Sequence, residues 1–172
     1  METSQIMKDQ KTCHKLNSQW TLWAHLPHDT DWSLASYKKV LTFGSIEELH
    51  SIIEYIPENM INNCMFFMMR NNTQPTWEDP INRSGGCFSY KIFNKNVTNI
   101  WNLLCYALIG ESMSPNKNFV NSITGLTISP KKNFCIIKLW MSNCNNQDAS
   151  SIIDIDGLNS YSCIFKKHLP EY

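Results

Sequence analysis

The chain has 172 residues, 42% of them hydrophobic, and its 15 Lys and Arg balance 15 Asp and Glu for a formal net charge of zero. That is one domain, long enough to bury about two-thirds of its extended-chain surface. With no long Lys/Arg block, it is not a protein that grips nucleic acid mainly by the backbone, so any RNA contact is expected to be local and built around one recognised nucleotide.

In chain order, residues 1–17 are polar and read as a flexible N-terminal arm, ahead of a single domain over residues 18–172. Strands are predicted at Gln19–Ala24 and Lys38–Phe43. A helix is predicted next: Ser45 can cap it, Glu48 can complete a capping box, and an apolar face continues to Ile56. Cys64–Arg70 and Phe88–Phe93 read as strands. Asn99–Ile109 reads as a second helix, with Trp101, Leu104, Ala107 and Leu108 on one face and Gly110 placed to end it in a left-handed conformation. Ile123–Ser129, Phe134–Met141 and Tyr161–Lys167 read as further strands, and a shorter third helix runs through Ala149 to Asp154. The fold class is α+β: a single curved, mostly antiparallel sheet of about eight strands, backed on its convex side by about three helices.

Seven cysteines, an odd number with no Cys-x-x-Cys pair, argue against a disulfide framework and a zinc site. They imply a reducing compartment. No segment approaches the roughly 18 apolar residues of a membrane span, and the N-terminus lacks an apolar signal core, so a cytoplasmic protein is expected. In His25-Leu26-Pro27-His28-Asp29 the Pro and the short spacing fit no regular presentation of metal ligands, and no metal or cofactor is expected. No Ser-His-Asp or Cys-His ordering has supporting context, and Gly85-Gly86 reads as a turn between strands, so enzymatic activity is not expected. The richness in Asn and Ile suggests an AT-rich genome, such as that of a protist or a large virus.

The chemistry concentrates in Gln74-Pro75-Thr76-Trp77-Glu78-Asp79. With Trp32 and Trp140, Trp77 supplies the parts of a pocket for a cationic purine, which two flat indoles can sandwich by stacking and cation–π attraction. One Glu can accept from both N1–H and N2–H2 of guanine, a pair of donors that adenine lacks. Together they point to a 7-methylguanosine cap. Trp32 lies in a polar connection, unlike Trp20, Trp23 and Trp101 in their apolar runs, and is expected to be exposed. Trp77 could equally pin its loop to the sheet, Glu78 could be a solvated loop carboxylate, and Trp140 could be a core residue.

The order and spacing of His14-Lys15-Leu16, Trp20-Thr21-Leu22-Trp23, Trp77-Glu78-Asp79, Gly85-Gly86, Leu104 to Ser112 and Ile137-Lys138-Leu139-Trp140 resemble the mRNA cap-binding family known as translation initiation factor 4E, from about His14 to about Met141. The resemblance implies that Trp32 and Trp77 are the stacking plates, that Glu78 reads the guanine edge, and that Trp140 touches the N7-methyl group. It implies that Lys131, Lys132 and Asn133 at a hairpin tip serve the phosphates; Lys166, Lys167 and His168 near the C-terminus are expected to compensate for departures from the family pattern there by contacting phosphate or the next nucleotides. On the convex side it implies a partner surface of His14, Ile46, His50, Leu103 and Tyr106, taking a scaffold protein of the initiation factor 4G type or a dedicated equivalent. The chain would then be a monomeric subunit of a complex, recruiting 5′-capped mRNA for translation initiation. The alternatives are a cap-sequestering repressor and a protein-interaction module without cap affinity. The pattern departs from the family in several places: Cys87 replaces the Arg that commonly follows Gly-Gly, Ile136 falls where a third cation would stand, and His14-Lys15-Leu16 lacks a Pro. In addition, His50 stands for a Trp, Asn102 and Tyr106 replace apolar residues, and Gln147 to Leu158 is shorter than the family's third helix.

Overall fold

In this computed structural model, which describes residues 13–158 and 160–170, strands and helices are interspersed along the chain. The strands are β1 (Lys15–His25), β2 (Lys38–Ser45), β3 (Met65–Arg70), β4 (Gly86–Phe93), β5 (Ile123–Pro130), β6 (Phe134–Met141) and β7 (Ile164–Lys167). The helices are α1 (Ile46–Tyr55), α2 (Glu58–Ile61), α3 (Asn94–Ile109) and α4 (Lys117–Ser122). All neighbours in the order β2-β1-β3-β5-β6-β4-β7 pair antiparallel, giving one curved sheet of seven strands. Of the arm expected over residues 1–17, residues 1–12 lie outside the described residues, and β1 is under way at Lys15.

Period-two alternation sorts the sheet into two faces. Leu22, Phe66, Met68, Phe88, Tyr90, Ile92, Leu126, Ile137 and Leu139 face the helices and pack with Val97, Trp101, Leu104 and Leu108 of α3 in one large core. Residues of the opposite parity form a second, smaller cluster on the open face: Phe67, Met69 and Trp140, with Trp23, Tyr37, Met65 and Trp77 against it. The core anchors the sheet, and the open face is left for the site.

Helix α1 starts as its sequence predicts: Ser45 Oγ accepts from the Glu48 backbone N–H at 3.3 Å. The Glu48 carboxylate reaches back to the Gly44 N–H at 2.8 Å and the Ser45 hydroxyl at 3.0 Å, so the reciprocal contact lands one residue earlier than a standard capping box. Helix α3 begins at Asn94, directly after β4, rather than at Asn99.

Three local expectations are corrected. Gly110 is not left-handed; its φ is −78°, and the turn falls on Glu111 at φ 53°, with the Ser112 N–H closing on the Ala107 carbonyl at 2.9 Å. The helix read through Ala149 to Asp154 is a single 3-10 turn, Ala149–Ser151. Past it, Ile152 is buried and the Ile153 N–H donates to the Met113 carbonyl at 2.9 Å, so long-range packing takes the backbone that a helix would need. The last strand starts at Ile164, not Tyr161, because Ser160–Ser162 is again a 3-10 turn.

Gly85-Gly86 proves to be a point of close approach rather than a simple turn. A Cβ on Gly85 would lie on the Met141 carbonyl, and one on Gly86 would come within 2.6 Å of the Lys166 carbonyl. Without side chains here, β6 and β7 can close on either side of β4.

Candidate functional site

On the open face, the register of β1, β3, β5, β6, β4 and β7 sets Thr21, Met69, Gly125, Trp140, Cys87 and Lys166 in one cross-strand row. Gly125 is fitted to this row by its lack of a side chain, since an added Cβ would come within 2.5 Å of Met69 Sδ. The adjacent row carries Trp23, Phe67, Thr127, Lys138 and Ser89. Two loops rise over these rows.

The first loop, after β1, presents Trp32. Asp29 Oδ1 accepts from the Asp31 N–H at 3.0 Å, and Asp31 accepts from the Ser33 N–H at 2.8 Å and the Ser33 hydroxyl at 2.9 Å, fixing successive Asx turns. These bonds from Ser33 hold the Asp31 carboxyl below its ordinary range. Beneath it, buried His25 donates from Nε2 to the Asp31 carbonyl at 2.8 Å and stacks on Trp32, with centroids 4.2 Å apart and planes 3° from parallel. Trp32 is 55% exposed, so one indole face is braced and the other open.

The second loop, between β3 and β4, carries Trp77 and Glu78. Asp79 accepts from the Gln74 N–H at 2.9 Å and the Ile81 N–H at 2.8 Å. Fully buried Asn82 donates from Nδ2 to the carbonyls of Gln74 and Thr76, each at 2.9 Å, clamping the residues that lead into Trp77. Trp77 in turn stacks on His168, with centroids 5.5 Å apart and planes 13° from parallel.

Trp32, Tyr37, Phe67, Trp77, Glu78, Lys131, Lys138, Trp140 and Leu169 line one cavity of about 430 Å³. The tryptophans on opposite sides are linked beneath it by an unbroken run of ring contacts: Trp32 to His25, His25 to Tyr37, Tyr37 to Phe67, Phe67 to Trp140, Trp140 to His168, and His168 to Trp77. Trp140 is only 3% exposed and borders the cavity, combining the core and site positions that its sequence left open.

The cations are distributed differently from the sequence reading. Lys131 lines the cavity, whereas Lys132 faces a neighbouring groove with His28, Asn62 and Asn63. Asn133 is exposed at the hairpin tip and lines neither. Lys138, which the sequence reading did not select, lines the cavity instead; it is two residues before Trp140 in β6, so strand parity alone puts both on one face. Lys166 pairs with Cys87 on the open face, whereas Lys167 pairs with Gly86 and has the opposite parity. His168, expected to reach RNA, is 5% exposed and lies beneath the tryptophans. Cys87 is buried beside Trp140 in the register, and burial pushes its thiol pKa up.

On the helical side, Ile46, Leu103 and Tyr106 are exposed. His50 Nδ1 shares a 2.8 Å hydrogen bond with the Tyr106 hydroxyl and its Nε2 lies 3.2 Å from Glu54, so this His joins α1 to α3 rather than standing free in solvent. His14 is fastened to Glu47 through its backbone N–H and, at 2.6 Å, through its ring. Among the described residues no group of His, Cys, Asp or Glu side chains is arranged to hold a metal, and no helix is long and apolar enough to cross a membrane.

Comparison with known proteins gives a consistent picture. The family model for eukaryotic initiation factor 4E matches residues 15–161. Eukaryotic translation initiation factor 4E-2 of Schizosaccharomyces pombe is 30% identical over 143 residues, which cover 78% of this chain and 56% of that protein. Its counterpart in Candida glabrata is 29% identical over 152 residues, 84% of this chain and 71% of that one. Among solved structures, a schistosome eIF4E complexed with m7GpppG and 4E-BP superposes with a TM-score of 0.71 at 23% identity, covering 79% of this chain and 76% of its own. An Ascaris suum eIF4E-3 with m7G cap gives 0.69 at 22%, covering 78% and 77%.

Proposed function

Because the chain belongs to the eukaryotic initiation factor 4E family, we propose that it binds the 7-methylguanosine 5′ cap of mRNA in the open-face cavity and delivers capped mRNA to a partner protein for translation initiation in the cytoplasm. One observation carries this reading: the adjacent Trp77 and Glu78 line the same cavity as Trp32 and Trp140. In the proposed complex the cationic base slides between Trp32 and Trp77, gaining cation–π attraction on both faces. Glu78 accepts from N1–H and N2–H2 of guanine, and the ligand's positive charge strengthens both bonds. Trp140 contacts the methyl group, and Lys131 and Lys138 serve the phosphates. Solved relatives in complex with both a cap or cap analog and a 4E-binding protein, from Caenorhabditis elegans and a schistosome, support both halves of the proposal.

The partner would dock on Ile46, His50, Leu103 and Tyr106, where exposed apolar side chains flank a hydrogen-bonded His–Tyr pair. A helical peptide carrying a Tyr and a Leu is the expected occupant. If pull-down of such a peptide survives Ile46→Asp combined with His50→Ala, docking lies elsewhere.

Tryptophan-fluorescence titration tests the cap site. 7-Methyl-GTP is expected to quench emission and bind tightly, unmodified GTP to bind far more weakly, and Trp32→Ala to abolish tight binding. Equal affinity for the two nucleotides would remove the cation–π basis of the proposal.

A further inference from the structure

His168 lies outside the segment that the family model matches, on a stretch read from the sequence as contacting phosphate or the next nucleotides. In the structure it is 5% exposed and packed between two tryptophans, stacked on Trp77 and tilted 56° against Trp140 at 4.9 Å. Its backbone N–H donates to the Gly85 carbonyl at 2.9 Å, and its Nδ1 donates to the Asn82 carbonyl at 2.7 Å. Asn82 is the residue whose side chain clamps Gln74 and Thr76. One imidazole thus contacts the loop plate by its face, the strand tryptophan by its edge, and the loop's clamp by a hydrogen bond.

We propose that His168 is a positioning residue of the cap pocket, a wedge that sets the Trp77 plate against Trp140 and makes recognition of a cationic base depend on this imidazole remaining uncharged. The proposal rests on the cap-binding reading above. Since a carbonyl can only accept, Nδ1 carries the proton and Nε2 is left as a lone pair. Nε2 is buried with no hydrogen-bond partner among the described residues, as is the neighbouring Trp140 Nε1–H. A second proton at Nε2 would therefore be buried with no acceptor. It would also put a cation against one face of Trp77 while the other face receives the cationic base, and the two charges would oppose each other through one indole. Lys138 from β6 faces this imidazole and disfavours its charge, while Glu78 from the loop favours it. Burial, with Lys138 acting in the same direction, outweighs the Asn82 hydrogen bond and Glu78, and the His168 pKa lies below its ordinary 6.5.

The test is fluorescence titration with 7-methyl-GTP between about pH 5.5 and 8, the range in which imidazoles titrate, on the full chain and on His168→Ala, His168→Phe and His168→Gln. His168→Ala is expected to weaken binding roughly tenfold, the worth of one aromatic pair, while His168→Phe, which retains the ring, recovers part of the loss. The ratio of wild-type to His168→Gln affinity is expected to fall on acidification, since the ligand's own titration is common to both proteins and cancels. An unchanged affinity in His168→Ala, or a ratio flat with pH, overturns the proposal; if the Ala variant does not fold, the Phe and Gln variants decide it. A wild-type protein that fails to bind 7-methyl-GTP at any pH overturns the cap-binding reading itself, which the wild-type titration shows without any variant.

Discussion

Glu78 and Lys138 line the same cavity, yet their removal should have separable consequences. Glu78→Ala deletes a charge-assisted bidentate pair that contributes about 1–3 kcal/mol. It should therefore weaken 7-methyl-GTP by roughly ten- to a hundredfold and erode the preference for guanine over adenine, as competition with 7-methyl-ATP would measure. Lys138→Ala should weaken the triphosphate far more than 7-methylguanosine nucleoside at about pH 8, because the phosphates carry the negative charge that this cation attracts. Trp32, Trp77 and Glu78 were legible in the sequence because large aromatic and charged residues in polar loops have few structural reasons to be there. Lys138 was hidden by its surroundings: in a run as apolar as Ile136 to Met141 a single Lys looks incidental until strand parity aligns it with Trp140. His168 was misplaced for a different reason, since two lysines before it suggested an exposed basic tip, and its burial depends on a loop some ninety residues earlier.

At the level of elements, the loop between β3 and β4 behaves as a built part rather than a flexible link. Asn82 is fully buried, and its Nδ2 satisfies the carbonyls of both Gln74 and Thr76. Asn82→Ala should cost about 2–4 kcal/mol through those orphaned acceptors, seen as a lowered midpoint in urea, and should reduce cap affinity beyond the loss of folded protein. Asn82→Asp, isosteric but without the donor, should lose as much. Helix α1 started where its capping residues said it would, because an N-cap is a local interaction settled within four residues. Helix ends were less legible. The left-handed residue after α3 is Glu111 and not Gly110, and the turn at Ala149–Ser151 stops short because Met113 claims the backbone of Ile153. Those outcomes are set by packing from distant parts of the chain, which no local pattern records.

Across the whole molecule, the shifted groups that titrate below neutrality tilt stability in one direction with pH. Hydrogen bonds hold the carboxyls of Asp31, Glu47, Glu48 and Asp148 below their ordinary values, so their contribution is present above the ordinary carboxylate range and lost in acid. His168, depressed by burial, binds its proton more readily in the unfolded chain; its contribution is complete above 6.5 and declines as pH falls toward its lowered value. Thermal unfolding followed by far-ultraviolet dichroism should therefore show the midpoint beginning to fall just below neutrality, before any carboxylate titrates, and His168→Gln should flatten that first part of the decline. The fold as a whole was largely legible, since its strand-like runs stood out between turn-rich segments; the short helices α2 and α4 were not. The unbroken run of rings from Trp32 to Trp77 gives the pocket an optical identity of its own. Rings locked at fixed mutual tilts in an asymmetric setting couple their electronic transitions, so the empty protein should carry a structured near-ultraviolet dichroic band. Replacing Phe67 with Leu, in the middle of the run, should collapse much of that band while the far-ultraviolet spectrum stays put, reporting pocket assembly without any nucleotide.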